Sequence, residues 1–293
     1  MTETAEAHRK AVALNEALIV RSVRQHELTE AAENYAAQLE KRVAERTSEL
    51  KAMNTQLEAV VYSIAHDLRG PLRAMQGFST LLVEEAGEAL SDKAQDYAAR
   101  IDKSAQFMDA LLSDLLTFSR ITQQRTELTS INLKPVVEDV LSRLQKDIQE
   151  KNARLDISGP WPVVMAHEPT LAQVLSNLTS NALKFVAEDV SPVVRLRAEA
   201  RAGLVRIWVE DNGFGIAPEH QGQIFRLFSR LEGDKYAGTG IGLAIVQKAV
   251  ERMGGAVGVE STFGQGSRFW FELKKGEDLG ASDQIARAID NSG

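Results

Sequence analysis

A long run of apolar residues alternately three and four apart constrains this chain more than any other feature. From about Ala32 to Ile64 it runs through Leu39, Val43, Leu50, Met53, Leu57, Val60 and Ile64, with charged residues between them. Such spacing lays a narrow apolar stripe along one side of an α-helix, the seam of a coiled coil. Arg46 interrupts the seam, where it can set register, loosen the coil locally, or snorkel to water as a surface residue. The pattern continues through Leu68, Leu72, Met75 and Leu82, shifted by a residue around Pro71, until Gly87 and Ser91 break it. A second helix is predicted from about Asp92 to Ile121, with Tyr97, Ile101, Met108, Leu111, Leu115 and Phe118 as its stripe. Two long helices joined by a short loop make a hairpin too thin to bury both stripes, and pairing two hairpins gives a four-helix bundle.

After Thr122 the periodicity changes. Strand-like residues run from Leu128 to Leu133, a helix from Pro135 to about Lys151, a strand from Ala153 to Ile157, and a helix from about Thr170 to Val186. Val193 to Glu199 and Leu204 to Glu210 alternate as an antiparallel pair around Arg201-Ala202-Gly203. A helix from Ile241 to Met253 stops at Gly254-Gly255, and Ala256 to Ser261 with Ser267 to Leu273 forms a closing hairpin. This half reads as a separate α+β domain.

With 293 residues, 44% of them hydrophobic, the chain has enough apolar material for about two domains. Its net charge of −7, with basic residues scattered, lacks the footprint that nucleic acid requires. Cysteine is absent, which removes disulfides, thiolate metal sites and a thiol nucleophile, and fits a reducing compartment. The longest apolar runs, Ala17 to Val20 and Ala59 to Val61, are far too short to span a bilayer, and Met1-Thr2-Glu3 begins no basic signal peptide. The expectation is a soluble, cytoplasmic protein without membrane insertion.

Three places carry chemistry. In the first helix His66 stands beside Asp67, two positions from each of the stripe residues Ile64 and Leu68, so at ~100° per residue its imidazole points away from the stripe into water. Asp67 taken alone can equally be an exposed helix carboxylate. On the helix after Thr170, Asn177, Asn181 and Lys184 recur at four and three and share one face, while Leu175, Leu178 and Ala182 face inward. Amide oxygens suit Mg²⁺ and an ammonium suits phosphate, although a solvated polar face has the same pattern. Third, Asp211-Asn212-Gly213-Phe214-Gly215 closes a strand, and Gly238-Thr239-Gly240-Ile241-Gly242 opens a helix whose free N–H groups and dipole suit an anion. Asp211 can accept a hydrogen bond from an adenine amino group or simply make an Asx turn. A redox dinucleotide loop would follow the first strand of a βαβ unit, whereas these clusters lie late in an antiparallel pattern. Between them, Ser229 to Ala237 is a polar stretch suited to a lid.

Taken in order, these motifs resemble the sensor histidine kinases of two-component systems over most of residues 30 to 275. His66 to Leu72 is similar to the H box of that family, Asn177 to Phe185 to its N box, Asp211 to Gly215 to its G1 box, Phe225 to Phe228 to its F box, and Gly238 to Gly242 to its G2 box. His66-Asp67 and the continuation into Gly77-Phe78 resemble the phytochrome-like subgroup. Gly70 stands where many family members carry Thr or Asn to orient water for dephosphorylation, which puts phosphatase activity in doubt.

The resemblance implies an α+β protein of two domains. One is a helical-hairpin dimerisation domain forming a four-helix bundle in the dimer, and the other is a Bergerat-type α/β sandwich that binds ATP. Segment bounds are expected at 1–28 for a helical stretch of unread role, 29–62 for a coiled-coil signalling helix, 63–122 for the dimerisation and phosphotransfer domain, 126–275 for the ATP domain and 276–293 for a disordered tail. His66 would be the nucleophile and Asp67 would orient it by accepting its proton. Asn181 would hold Mg²⁺ with support from Asn177, Lys184 would contact phosphate, Asp211 would read adenine, and Gly213, Gly215, Gly238, Thr239, Gly240 and Gly242 would line the nucleotide. Expected partners are a second copy of the chain, a response-regulator receiver domain docking near Gly70, Ala74 and Phe78, and an upstream sensory protein. The rivals are another ATPase of the same sandwich fold, as in topoisomerases or chaperones, and a silent dimeric scaffold. Gly70-Pro71 should also weaken the helix below His66, since Gly costs ~1 kcal/mol against Ala and Pro removes a backbone bond.

Overall fold

The computed structural model describes residues 2–87, 89–123, 127–187, 189–229 and 238–277. The chain divides into two compact units, residues 1–59 and 60–293. The first unit is helical and belongs to α1 (Thr2–Ala86). Its seam residues Leu39, Val43, Leu50 and Met53 are exposed. Arg46 pairs along the surface with Glu49 at 2.7 Å.

In the second unit the remainder of α1 lies against α2 (Asp92–Gln123). Ala65, Leu72 and Ser79 on α1 and Ala98, Ala105, Leu112 and Ser119 on α2 are buried, each set at heptad spacing. Leu72 belongs to the expected stripe, most of which one hairpin alone was expected to leave uncovered. Ile64, Leu68, Met75, Leu82, Tyr97, Ile101 and Met108 are exposed. The small side chains of Ala65, Ala98 and Ala105 let the two helices meet closely along this seam. The seam is pinned by Ser79 Oγ donating to the Ala98 carbonyl at 2.6 Å and by Arg69 beside Asp109 at 3.4 Å. The helix passes through Gly70 and Pro71 without ending.

The remaining elements are β1 (Thr129–Asn132), α3 (Leu133–Arg143), α4 (Gln145–Glu150), β2 (Arg154–Ser158), β3 (Val163–Ala166), α5 (Glu168–Lys184), β4 (Val193–Arg201), β5 (Leu204–Asp211), α6 (Pro218–Gln221), α7 (Gly242–Arg252), β6 (Ala256–Ser261) and β7 (Ser267–Lys274). Five strands form one sheet in the order β2-β4-β5-β7-β6, in which β2 runs parallel to β4 and every other pair is antiparallel. Period-two burial along β7 puts Phe269, Phe271 and Leu273 on the inner face, against Leu171, Leu175 and Leu178 of α5 and Val246 and Val250 of α7. On the outer face Trp208 is buried beneath the guanidinium groups of Arg197, Arg206 and Arg268.

Three details depart from the sequence reading. The helix expected from Pro135 to Lys151 is two helices meeting at Leu144. The short strand β3 was not anticipated; it pairs with β1 in a separate two-stranded sheet. Finally, the tail after Lys275 begins in an ordered way: Lys275 bridges Val164, the Gly276 N–H donates to the Val163 carbonyl at 2.8 Å, and the Glu277 N–H donates to Ser130 Oγ at 3.2 Å. A free β3 edge gives that backbone somewhere to pair, which composition alone does not reveal. The rest of the expected tail, residues 278–293, and residues 230–237 of the expected lid lie outside the described residues.

Candidate functional site

A cavity of about 400 Å³ opens where α5, the end of β5, the start of α7 and α2 converge. Asn177, Asn181, Lys184, Asp211, Gly215, Gly238, Thr239, Gly240 and Gly242 line it, so three motifs far apart in sequence share one wall. Gly213 is not on that wall. Its N–H donates to Asp211 Oδ1 at 2.9 Å, and a side chain there would run into the Phe185 carbonyl.

The two asparagines have different surroundings. Asn177 is committed within the protein: Nδ2 donates to the Gly242 carbonyl at 3.2 Å, and Oδ1 accepts from Gln173 Nε2 at 3.2 Å. It therefore fixes the first turn of α7 against α5. Asn181, one helical turn on, lines the cavity with no hydrogen bond to its side chain among the described residues. An uncommitted amide oxygen at a cavity wall suits a hard cation that shares its remaining ligands with phosphate and water. No cluster of three or more His, Cys, Asp or Glu that would cage a metal unaided exists among the described residues.

Burial pushes the Asp211 carboxyl up to about 6 from its ordinary 3.8, against the N–H groups of Gly213 and Ser267, which favour the charged form. Both N–H groups bond Oδ1, at 2.9 and 3.1 Å, and so leave Oδ2 to accept from a ligand. The Asx turn and the acceptor role thus coexist in one side chain. Gly215 at φ +69° sits against the Thr262 carbonyl, where a side chain would collide with backbone.

At the other end of the cavity the first turn of α7 has no side-chain cap, and its N–H groups carry the partial positive charge of a helix start. A Cβ on Gly238 would lie 2.5 Å from Lys184 Nζ, so glycine lets the ammonium seat directly on the loop. Thr239 Oγ1 accepts from the Ile241 N–H at 3.3 Å and donates to Asp114 Oδ2 at 2.6 Å. An apolar wall that includes Ile216, Ile224 and Phe269 completes the space. An acceptor at one end, donors and a cation at the other, and an apolar span between them suit a nucleotide.

His66 and Asp67 lie outside this cavity. Both are exposed, and His66 Nδ1 stands 3.3 Å from Asp67 Oδ1. Sequence reasoning missed Ala110 and Asp114, through which α2 enters the cavity wall. The available signal was an acid inside the apolar run Leu111-Leu112-Ser113-Asp114-Leu115-Leu116. In the F-box segment Phe225 packs against the core, whereas Phe228 is exposed in a left-handed conformation.

Fold and site thus define an ATPase-type sandwich joined to a histidine-bearing helical hairpin. Residues 166–277 match the model of the histidine kinase-, DNA gyrase B- and HSP90-like ATPases, and residues 56–124 match that of the His kinase A phospho-acceptor domain. The chain is 34% identical over 235 residues to the phytochrome-like protein Cph1 of Synechocystis sp., covering 80% of this chain and 31% of that protein. It is 34% identical over 255 residues to the sensor histidine kinase AruS of Pseudomonas aeruginosa, covering 81% of this chain and 25% of that one. A full-length crystal structure of ShkA in complex with AMPPNP superposes with a TM-score of 0.58 at 31% identity, covering 74% of this chain and 46% of that one. The chain belongs to the sensor histidine kinases. It spans less than a third of these curated relatives. No helix among the described residues is long and apolar enough to cross a membrane.

Proposed function

We propose that the chain binds Mg²⁺-ATP in the cavity, phosphorylates His66, and passes the phosphoryl group to an aspartate of a response-regulator receiver domain. The observation that carries this reading is the gathering, in one cavity, of a buried Asp211, an uncommitted Asn181, Lys184 and the uncapped start of α7. Asp211 accepts from the adenine amino group, Lys184 and the α7 N–H groups receive phosphate oxygens, and Asn177 holds that helix start in place. Asn181 is the residue that would hold Mg²⁺, which when bound neutralises charge building up on the phosphates.

In the reaction, Asp67 holds the proton-bearing Nδ1 of His66, leaving Nε2 to attack the γ-phosphorus. A nitrogen–phosphorus bond forms as the bond to the ADP oxygen breaks, and Asp67 accepts the Nδ1 proton. The exposed outer stripes of α1 and α2 support a dimer in which two hairpins close a four-helix bundle, continued by a coiled coil through the seam of the first unit. Receiver docking is assigned to the hairpin below His66, where Phe78 is 72% exposed.

Incubation with γ-labelled ATP and Mg²⁺ tests the reading. The expected product is an acid-labile, alkali-stable phosphoryl group on the protein, lost in His66→Gln and in Asn181→Ala and transferable to a receiver domain. Steady ATP hydrolysis without labelled protein would instead assign the chain to the sandwich-fold ATPases.

A further inference from the structure

The cavity described above is not made by the ATP domain alone. Helix α2 of the histidine-bearing hairpin contributes Ala110 and Asp114, one turn apart, while His66 on α1 contributes nothing. The contact is chemically specific. Asp114 Oδ2 accepts the hydroxyl of Thr239 at 2.6 Å, and Thr239 belongs to the glycine loop that opens α7. Lys184, seated over Gly238 of the same loop, lies close enough for its charge to favour the ionised carboxylate. Burial works against that charge and raises the Asp114 pKa, so the ionised side chain relies on these two partners.

A carboxylate bonded to a hydroxyl, within the field of an ammonium and beside an uncapped helix start, stands where an incoming phosphate would seek the same groups. Two anions cannot use one set of donors, and like charges repel at that range. We propose that Asp114 is a built-in competitor for the phosphate end of the nucleotide cavity, so that entry of a nucleoside triphosphate and release of α2 from the ATP domain are one coupled event. This inference rests on the nucleotide reading of the cavity and goes beyond it by assigning the docked arrangement to an inactive pose.

The rest of the hairpin makes the latch responsive. Asp109, on the turn before Asp114, faces Arg69 at 3.4 Å, and Ser79 Oγ bonds the Ala98 carbonyl, so these two contacts tie movement of α1 to α2. Coupling of this kind is reciprocal: whatever α1 does to lift Asp114 off Thr239 strengthens phosphate binding by the same factor by which phosphate binding lifts Asp114. A signal descending α1 thereby reaches the nucleotide without needing to touch His66.

Binding measurements on the whole chain test the proposal, with AMPPNP and adenosine as probes and hydrogen exchange along α2 as a second readout. Asp114→Asn keeps an acceptor for Thr239 and removes only the charge; Asp114→Ala removes both. Both variants should bind AMPPNP at least ~5-fold more tightly than the wild type, the lower end of ordinary coupling between sites, with adenosine affinity unchanged because it brings no phosphate. In the wild-type chain AMPPNP should speed amide exchange from Met108 to Phe118 and adenosine should not, while in the variants exchange there should be fast without ligand. Equal or weaker AMPPNP binding by the variants, or an equal gain for adenosine, overturns the latch while leaving the nucleotide site standing. Failure of the wild-type chain and of both variants to bind AMPPNP overturns the nucleotide reading and the latch together.

Discussion

Replacing Asp211 by Asn should move stability and nucleotide affinity in opposite directions. In the folded protein the carboxyl titrates at about 6 rather than 3.8, a displacement of about 2 pH units, which at ~1.4 kcal/mol per unit is about 3 kcal/mol of destabilisation once the group is fully charged. A raised acid pKa means that the folded state holds its proton more tightly than the unfolded state, so the carboxyl becomes destabilising as pH rises from about 4 through about 6. The amide oxygen of Asn can still accept from the Gly213 and Ser267 N–H groups, so the variant loses the charge and keeps the turn. The gain should be ~2–3 kcal/mol near pH 8, about half that near pH 5, and under ~1 kcal/mol near pH 4. For a unit of this size that is a rise in Tm of roughly 5–10 °C at the higher pH. Nucleotide affinity should fall roughly 10- to 100-fold, the worth of a hydrogen bond to a charged acceptor. Wild-type affinity should itself weaken as pH drops through about 6, where Asp211 takes up its proton. Thermal melts and nucleotide titrations of both proteins across this pH range are the assay. A variant that melts no higher than wild type near pH 8, or a Tm gap that is the same at every pH, would refute the reasoning.

Other consequences are simpler to check. Gly70 has open space around the position of a Cβ, so Gly70→Ala should stabilise α1 by ~1 kcal/mol in thermal melts. If the soft point beside Pro71 is used in switching, the same substitution alters the autophosphorylation rate, and an unchanged rate removes that role. Ala202 holds φ +42° in the two-residue turn between β4 and β5, where Asn is better tolerated, so Ala202→Asn should raise stability by ~0.5–1 kcal/mol without touching nucleotide binding. Gly215→Ala, at φ +69° against the Thr262 carbonyl, should lower Tm by an amount corresponding to at least ~2 kcal/mol and weaken nucleotide binding with it.

Most elements were legible because their signals are local. The β4–β5 and β6–β7 hairpins and helices α5 and α7 follow from alternation, apolar faces and glycine stops, and each lies within a few residues of its expected bounds. Residue pattern alone did not separate Asn177 from Asn181; only the family resemblance gave them different roles. Both sit on the same face with the same chemistry, and the docking of α7 shows that one is spent on the Gly242 carbonyl while the other has no side-chain hydrogen bond among the described residues. Periodicity weights large apolar side chains, so it did not show that the two helices of one hairpin close on the small residues Ala65, Ala98 and Ala105.

By itself the sequence singled out the candidate groups: an imidazole beside a carboxylate, a polar stripe on an amphipathic helix, and glycine loops at a strand end and a helix start. These are properties of short segments, set by backbone preference and by the period of the side chains. Only the tertiary structure decided that three motifs far apart in sequence share one cavity, that burial lifts the Asp211 pKa, and that Asp114 reaches that cavity from another helix. Desolvation and long-range contact arise when distant segments exclude water together, and no local pattern encodes that.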